Sequence, residues 1–218
     1  MCLWSQRTSG KFPPPAARIA HVAPGYCSSV AERPDEERIT AWALAAGRGD
    51  RDALAAFVRA TQRDVLRFVA HLADPGYAED LAQETYLRAV GALPRFEAAS
   101  SARTWLLSIA RRAAADAVRA AGRRPRTTSV EDWDTVAARG GVVRGAADEA
   151  VLLRELVAAL DPERREAFVL TQVLDLSYAK TAQVCGCPVG TIRSRVARAR
   201  EDLVAAMDAA PRTRRREA

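Results

Sequence analysis

The stretch LSYAKTAQVCGCPVGTIRSRVARAREDL, residues 176–203, carries the pattern that decides the fold of its part of the chain. Ser177 can cap a short helix, and the CGCP segment forms a tight turn before a second helix that starts near Pro188. On a helical wheel of about 100° per residue, the second helix gathers a narrow apolar stripe made of Ile192, Val196, Ala199 and Leu203. A short helix, a turn containing glycine and a basic amphipathic helix together predict a helix-turn-helix, whose second helix enters the DNA major groove.

Opposite the apolar stripe, the second helix carries a basic and hydroxylated face. Residues 188–200 contain four arginines and no acid, a composition that favours contact with phosphates. A run of charge on a helix is also common on a surface that only meets water, so the wheel alone leaves DNA binding and simple solvation open. The candidate DNA-reading side chains are Thr191, Arg193, Ser194, Arg195 and Arg198.

The two cysteines of the turn, Cys185 and Cys187, raise the alternative of a metal site. A zinc site needs about four ligands, typically with C-x₂₋₄-C spacing, and the chain's two histidines, His21 and His71, both lie far upstream. We therefore expect no metal and no cofactor, with Cys185 packed inside the turn. The cysteine spacings also predict no disulfide framework, which favours a reducing cytoplasm.

The chain as a whole shows helical rather than strand patterning. Hydrophobic residues, many of them alanine, make up 49% of the sequence and aromatic residues only 6%, and no segment alternates as a strand does. The predicted fold class is all-α, with two small helical domains joined by a flexible linker. No stretch approaches the roughly 20 apolar residues of a membrane span, so no membrane contact is expected. The predicted parts are a disordered tail at 1–34, a first domain at 35–122, a linker at 123–146, a second domain at 147–210 and a basic tail at 211–218.

Helix start and stop signals divide both predicted domains. The first domain shows helical spacing over residues 36–47, from Asp50 to about 73, over 77–91 and from about 101 to 122, with breaks at glycine or proline. In the second domain, Asp161 followed by Pro162 is a strong helix start. The last helix is predicted to run from about 188 to 209.

A second basic segment lies at the end of the first predicted domain. Residues 103–126 carry seven arginines and one acid, Asp116, and their sum of +6 equals the formal net charge of the whole chain. This concentration of positive charge predicts a phosphate-binding surface.

Three stretches together resemble the extracytoplasmic-function (ECF) sigma factors of RNA polymerase, in the sigma-70 family. DLAQETYLRAV at 80–90 is similar to region 2.2 of that family, and RFEAASSARTWLLSIARRAAADAVR at 95–119 is similar to regions 2.3 and 2.4. The helix-turn-helix at 176–203 resembles region 4. The stretches follow the family's order, with a linker between them, and the resemblance covers about residues 36–210.

The resemblance implies a four-helix region 2 domain and a region 4 helix-turn-helix domain in a protein that is not itself an enzyme. Such a protein binds core RNA polymerase, through the β′ clamp helices and the β flap, and directs it to promoter DNA in the cytoplasm. Region 4 reads the −35 element, and region 2 melts the −10 element and holds an unstacked base. An anti-sigma factor is a common further partner in the family.

The family's functional positions map onto residues of this sequence. The candidate polymerase-binding residues are Asp80, Gln83, Glu84, Leu87 and Arg88. The candidate −10 residues are Glu97, Ser100, Ser101, Arg103, Arg111, Arg112, Asp116 and Arg119. The five side chains of the basic helix face are the −35 candidates.

Two departures from the family concern the −10 region. Ala102 stands where the family often has an aromatic residue, and Arg112 stands where it often has asparagine. The −10 sequence preference of relatives therefore does not transfer to this chain.

Two other function classes remain as alternatives. An ordinary regulator that uses only the helix-turn-helix leaves the motifs of the first domain unexplained. A nucleic-acid-modifying enzyme needs a nucleophile, base or metal constellation, and the sequence shows none.

The cysteine analysis generates a first prediction. Replacing Cys185 and Cys187 by serine and alanine leaves promoter-specific transcription largely intact, because too few ligands surround them to hold a metal. The measurement is run-off transcription beside metal analysis of the purified protein. Stoichiometric zinc that is lost together with activity on chelation would contradict this expectation.

Overall fold

The computed structural model describes residues 35–123 and 144–209. The predicted tails and most of the predicted linker lie outside the described residues, and their expected disorder and flexibility stay predictions. Within the described ranges the helices are α1 (Glu36–Gly47), α2 (Arg51–Leu72), α3 (Ala78–Ala92), α4 (Ala102–Arg123), α5 (Arg144–Ala159), α6 (Pro162–Phe168), α7 (Tyr178–Cys185) and α8 (Val189–Ala209). Helices α1–α4 are called the front half below, and α5–α8 the back half. The described residues contain no strand, and the all-α prediction is confirmed.

The helix boundaries follow local signals in the sequence. The Asp50 carboxylate accepts hydrogen bonds from the amides of Asp52 and Ala53 at 3.0 and 2.9 Å, and so caps α2. Asp161 caps α6 in the same way, and the Ser177 hydroxyl accepts from the Lys180 amide at 3.3 Å to start α7. These side chains satisfy amides that have no partner inside the helix. The predicted starts of these three helices are confirmed.

The front half packs four helices around large buried side chains. Phe57, Val65 and Phe68 of α2 meet Leu106 and Leu107 of α4, and all five are at most 1% exposed. Gly47 ends α1 against the 3₁₀ turn Leu93–Arg95, where an added Cβ would lie 2.6 Å from the Leu93 carbonyl oxygen. A glycine is therefore required at this crossing.

The back half contains the predicted helix-turn-helix. Gly186 ends α7 in the left-handed region, with φ of 66°, and lets the chain turn toward α8. The predicted apolar stripe of α8 is confirmed, since Ile192, Val196 and Ala199 are at most 1% exposed and Leu203 is 8% exposed.

A π-helical segment at Val169–Val173 follows α6, and no local sequence pattern predicts it. The Leu174 amide donates to the Val169 carbonyl at 3.0 Å, which widens the last turn. Asp175 then adopts a positive φ of 58°, and Leu176 N–H returns to the Leu170 carbonyl at 2.9 Å. The widened turn keeps Leu170, Leu174 and Leu176 all buried.

The front and back halves contact each other directly, and their buried apolar side chains form one continuous cluster. Helix α4 packs on α7, and α2 packs on α6. Polar contacts also join the halves: Arg103 donates to the Leu174 carbonyl at 2.6 Å, Arg111 pairs with Glu166, and Lys180 pairs with Glu36.

The burial pattern of α2 generates a second prediction. Phe68→Ala lowers the free energy of unfolding by about 3–5 kcal/mol, because it leaves a cavity among fully buried neighbours. Leu66→Ala is the matched control on the same helix: Leu66 is 40% exposed, and its loss costs about 1 kcal/mol or less. Urea unfolding followed by circular dichroism measures both. Equal losses for the two variants would show that the core is not where the structure places it.

Candidate nucleic-acid interface and polymerase-binding face

The outward face of α8 presents the side chains predicted to read DNA. Arg193, Ser194 and Arg198 are exposed, whereas Thr191 is half-buried. The Ser194 hydroxyl donates to the Thr191 carbonyl at 2.9 Å within the helix. An α-helix with exposed arginines on one side and a buried stripe on the other has the shape and charge to enter a major groove.

Arg195 differs from its neighbours on this face. Its side chain is only 18% exposed and pairs with Glu163 at the start of α6. A second guanidinium nitrogen lies 3.6 Å from the Cys187 sulfur. The wheel placed Arg195 on the open face, but α6 and the turn cover it, because a wheel describes one helix and not its neighbours.

The turn cysteines show different environments. Cys185 is buried, and burial raises the pKa of its thiol to about 12. Cys187 is half-buried beside Arg195. Among residues 35–123 and 144–209 no group of three or more His, Cys, Asp or Glu side chains lies close enough together to hold a metal.

The loop between α3 and α4 forms one wall of an open cavity of about 380 Å³. Ser100 and Ser101 line it from the loop, and α1 forms the facing wall with Glu36, Glu37 and Thr40 among its side chains. The Ala102 amide donates to the Thr40 hydroxyl at 3.1 Å, which anchors the loop to α1. The sequence predicts the loop but not the α1 wall, because no local signal links segments 62 residues apart.

Three other positions of this region do not line the cavity. Glu97 is exposed beside it. Phe96 and Trp105 pack against the hydrophobic core, with ring centroids 4.8 Å apart and planes tilted by 40°. Both aromatic rings therefore belong to the core and not to the cavity wall.

Four arginines of α4 fall into two groups. Arg103 is 8% exposed, and Arg111 pairs with the buried Glu166 of α6; both turn toward the back half. Arg112 and Arg119 are exposed, and Arg112 donates to the Ser108 carbonyl at 3.0 Å within its helix. At about 100° per residue, Arg103 and Arg112 lie on opposite faces of α4, so the helical spacing already contained a signal for this separation.

The contact between Arg111 and Glu166 is partly buried. Burial raises the pKa of Glu166 above its usual value, and the hydrogen bond from Arg111 acts in the opposite direction. The guanidinium of a predicted −10 residue is thus held by a carboxylate of the back half.

The outer face of α3 carries the predicted polymerase-binding residues. Asp80 and Gln83 are exposed, and Leu87 is 63% exposed. Val90, which lies three residues after Leu87, is a second exposed apolar side chain and is 45% exposed. Exposed apolar side chains among acidic ones are a chemistry suited to a protein partner.

Arg88 connects α3 with α4. It donates from Nε to Glu84 at 2.7 Å and from Nη1 to Asp116 at 2.7 Å, and Arg119 donates to the other Asp116 oxygen at 2.6 Å. The hydrogen bonds from Arg88 and Arg119 lower the pKa of Asp116, and those to Asp116 and Glu84 raise the pKa of Arg88. The structure thus joins two predicted polymerase-binding residues with two predicted −10 residues.

None of the helices in residues 35–123 and 144–209 has the length and hydrophobicity of a membrane span.

Family comparisons match both halves of the chain. Residues 57–124 match the sigma-70 region 2 family, and residues 150–203 match the sigma-70 region 4 family. The two regions occur in the order expected from the sequence, and the region 2 match accounts for the front motifs that a regulator with a helix-turn-helix alone leaves unexplained.

Curated relatives extend this result. The probable RNA polymerase sigma-C factor of Mycobacterium bovis is 55% identical over 177 residues, which cover 81% of this chain and 94% of the relative. The ECF RNA polymerase sigma factor SigC of Mycobacterium tuberculosis has the same values. The ECF RNA polymerase sigma-E factor of Escherichia coli is 32% identical, with 71% of this chain and 86% of the relative covered. The stretches SSARTWLL, RPRTT and VCGCPVGTIRSRVARAR together favour the actinobacterial sigma-C type, and this resemblance is confirmed.

Solved structures show the same fold. CnrH in complex with the cytosolic domain of CnrY superposes with a TM-score of 0.63 at 25% identity, covering 81% of this chain and all of that chain (100%). The sigma factor RpoE of Bartonella quintana, in complex with the anti-sigma factor NepR, gives a TM-score of 0.57 at 25% identity, covering 72% and 98%. With both sigma-70 regions matched in order and relatives at 55% identity over most of its length, the chain belongs to the ECF sigma factors of the sigma-70 family and acts in transcription initiation by RNA polymerase.

Proposed function

We propose that this sigma factor divides its work between two domains with the predicted bounds, 35–122 and 147–210, joined by the segment 123–146. The second domain reads the −35 element, and the first binds core polymerase and melts the −10 element. The observation that carries this proposal is the exposed basic face of α8 above its buried apolar stripe, in one chain with the acidic and apolar face of α3. The polymerase performs the chemistry, and this chain is not an enzyme.

For the −35 element, the proposed readers are the side chains on the open face of α8. Arg193 and Arg198 can each donate two hydrogen bonds to a guanine edge or one to a phosphate, and Ser194 adds a short donor between them. Thr191 lies at the rim of this face. Arg195 reaches DNA only when its guanidinium leaves Glu163.

For the −10 element, the proposed base site is the cavity between α1 and the loop before α4. Ser100 and Ser101 supply hydroxyl groups that can bond the edge of an unstacked base, and Glu97 stands at the rim. Arg112 and Arg119 would hold the sugar-phosphate backbone along α4, since a flipped base needs both a shaped pocket and neighbouring cations. Arg103 and Arg111 become available to DNA only when the back half moves away from α4.

For core polymerase, the proposed contact is the α3 face made of Asp80, Gln83, Glu84, Leu87 and Arg88. Leu87 provides an apolar centre, and the acids around it favour a partner surface that carries positive charge. The β′ clamp helices are the proposed partner of this face. The β flap is the proposed partner of the back half.

The proposal also covers a regulatory partner and the cellular location of this chain. CnrH and RpoE were each solved with a second protein, which for RpoE is named as an anti-sigma factor. We propose an anti-sigma partner for this chain as well. A sigma factor meets its polymerase in the cytoplasm, which is the proposed location.

The separation of surfaces generates a third prediction. Arg198→Ala costs about 1–3 kcal/mol of promoter binding if it reads a base, and transcription from −35-dependent promoters falls while core binding survives. Asp80→Arg combined with Glu84→Arg does the reverse, because reversed charge repels the proposed partner. A pull-down of core polymerase beside run-off transcription measures both.

Two control variants accompany these changes. Arg59→Ala removes an exposed arginine of α2, and Glu79→Arg reverses an acid of α3 that lies off the proposed face. Both controls keep normal core binding and transcription. If the α3 pair still binds core normally, or if Arg198→Ala loses core binding while folded, the division of labour is wrong.

The pairing of Arg195 generates a fourth prediction. Glu163→Gln tightens binding to a −35 duplex by up to about fivefold, the limit expected for release from one ion pair whose carboxylate is exposed to solvent. Arg195→Gln combined with Glu163→Gln shows no such gain, because no guanidinium is left to release. Fluorescence anisotropy with the labelled duplex measures both. Weaker binding by Glu163→Gln would instead show that the pair positions α8 and that Arg195 does not contact DNA.

A further inference from the structure

Four charged side chains form a network on the surface of the front half, called here the charge network. It runs in alternating sign from α3 to α4 through Glu84, Arg88, Asp116 and Arg119. Arg88 uses separate nitrogens for its two carboxylates, and Asp116 uses separate oxygens for its two arginines. Arg88 and Asp116 each have two partners, so the loss of one partner strengthens the ion pair with the other.

The exposure of the network limits what it does for the fold. The side chains of Arg88, Glu84, Asp116 and Arg119 are 39%, 45%, 48% and 65% exposed. An exposed ion pair shifts an equilibrium by about fivefold at most, while buried aliphatic side chains such as Leu81 of α3 and Leu106 of α4 pack in the core. Stabilisation of the fold is therefore a poor explanation for the network, and its position is more informative.

The two ends of the network lie on the two surfaces proposed above. Glu84 shares the α3 face with the exposed Leu87, where core polymerase is proposed to bind. Arg119 shares the outer face of α4 with Arg112, where −10 DNA is proposed to bind. Asp116 lies between them, and a carboxylate repels phosphate, so its place among the −10 candidates is not explained by direct contact with DNA.

We propose that the charge network transmits polymerase binding at Glu84 to DNA binding at Arg119, with Asp116 as the positioning residue; this rests on the proposed function. A cationic group of the polymerase that pairs with Glu84 leaves Arg88 to Asp116 alone. Asp116, more fully neutralised by Arg88, then holds Arg119 less strongly. The guanidinium of Arg119 becomes available to a backbone phosphate of the melted strand.

The coupling has a defined sign and a limited size. Polymerase binding strengthens the phosphate contact of Arg119, and DNA strengthens polymerase binding by the same factor, because linkage between two binding equilibria is reciprocal. A surface network of this kind supports a factor of up to about five. In the free protein the same network keeps Arg119 paired and so weakens binding to DNA in general.

The test compares DNA affinity of the full chain alone and in complex with mycobacterial core polymerase. The probe is a short fluorescent single strand of mixed sequence, because a phosphate contact does not depend on base sequence. Low ionic strength makes binding by the free chain measurable. The variants are Asp116→Asn, Arg119→Gln and their combination, and all alter exposed side chains.

Asp116→Asn is expected to tighten DNA binding by the free chain by up to about fivefold, and to have no effect in the polymerase complex, where Arg119 is already released. Arg119→Gln weakens binding and lowers the salt dependence, log K against log salt, by about 0.7 for a single strand. The combined variant behaves as Arg119→Gln alone. Glu79→Gln, a nearby exposed acid outside the network, leaves both affinities unchanged.

Other outcomes overturn the inference in distinguishable ways. An equal gain from Asp116→Asn in the free chain and in the complex would reduce its role to simple charge repulsion, with no transmission. A gain that survives removal of Arg119 would also exclude the network. Failure of the wild-type chain to bind core polymerase at all would instead overturn the proposed function.

Discussion

The buried guanidinium of Arg103 is the interaction on which the arrangement of the helices depends. It donates from Nε to Asp64 of α2 at 2.7 Å and from Nη2 to the Leu174 carbonyl at 2.6 Å, and Glu36 of α1 lies 3.7 Å away. A charge with 8% exposure needs such partners. The first turn of α4 can therefore occupy only the place where α1, α2 and the end of the π-helical segment all reach it. The widened turn at Val169–Val173 directly precedes Leu174, whose carbonyl accepts the hydrogen bond from Arg103.

The same constraint explains how the basic residues of α4 are distributed. Arg103 and Arg111 serve as internal partners of buried acceptors, whereas Arg112 and Arg119 remain on the surface. Two of the predicted −10 residues, Arg103 and Arg111, are thus engaged by the back half. Arg195 of α8 is likewise held by Glu163. A chain whose cations pair with its own carboxylates presents fewer unpaired cations to DNA than its 33 Lys and Arg residues indicate.

The polar contacts and the apolar core have separate tasks. Phe57, Phe68, Leu106 and Ile192 supply the non-directional driving force that keeps the helices together. The buried charges of Arg103 and Glu166 restrict the ways in which those helices can pack, because a misplaced buried charge costs more than a misplaced methyl group. The exposed charge network between α3 and α4 belongs to neither group, and its shared middle members are suited to linking the two proposed binding surfaces.

Short stretches of sequence are enough to predict the helix starts and the family. Caps such as Asp50, Asp161 and Ser177 act on amides two or three residues away, and the α8 stripe repeats every three or four residues, so both signals are complete within a short window. The pairing of charges was decided only by the tertiary structure. Arg103 and Leu174 are separated by 71 residues and Lys180 and Glu36 by 144, and no local pattern says which distant carboxylate or carbonyl a given arginine meets. The cover over Arg195, the α1 wall of the cavity and the π-helical turn depend on those distant contacts, because each is fixed by a neighbouring helix and not by the residues beside it in the chain.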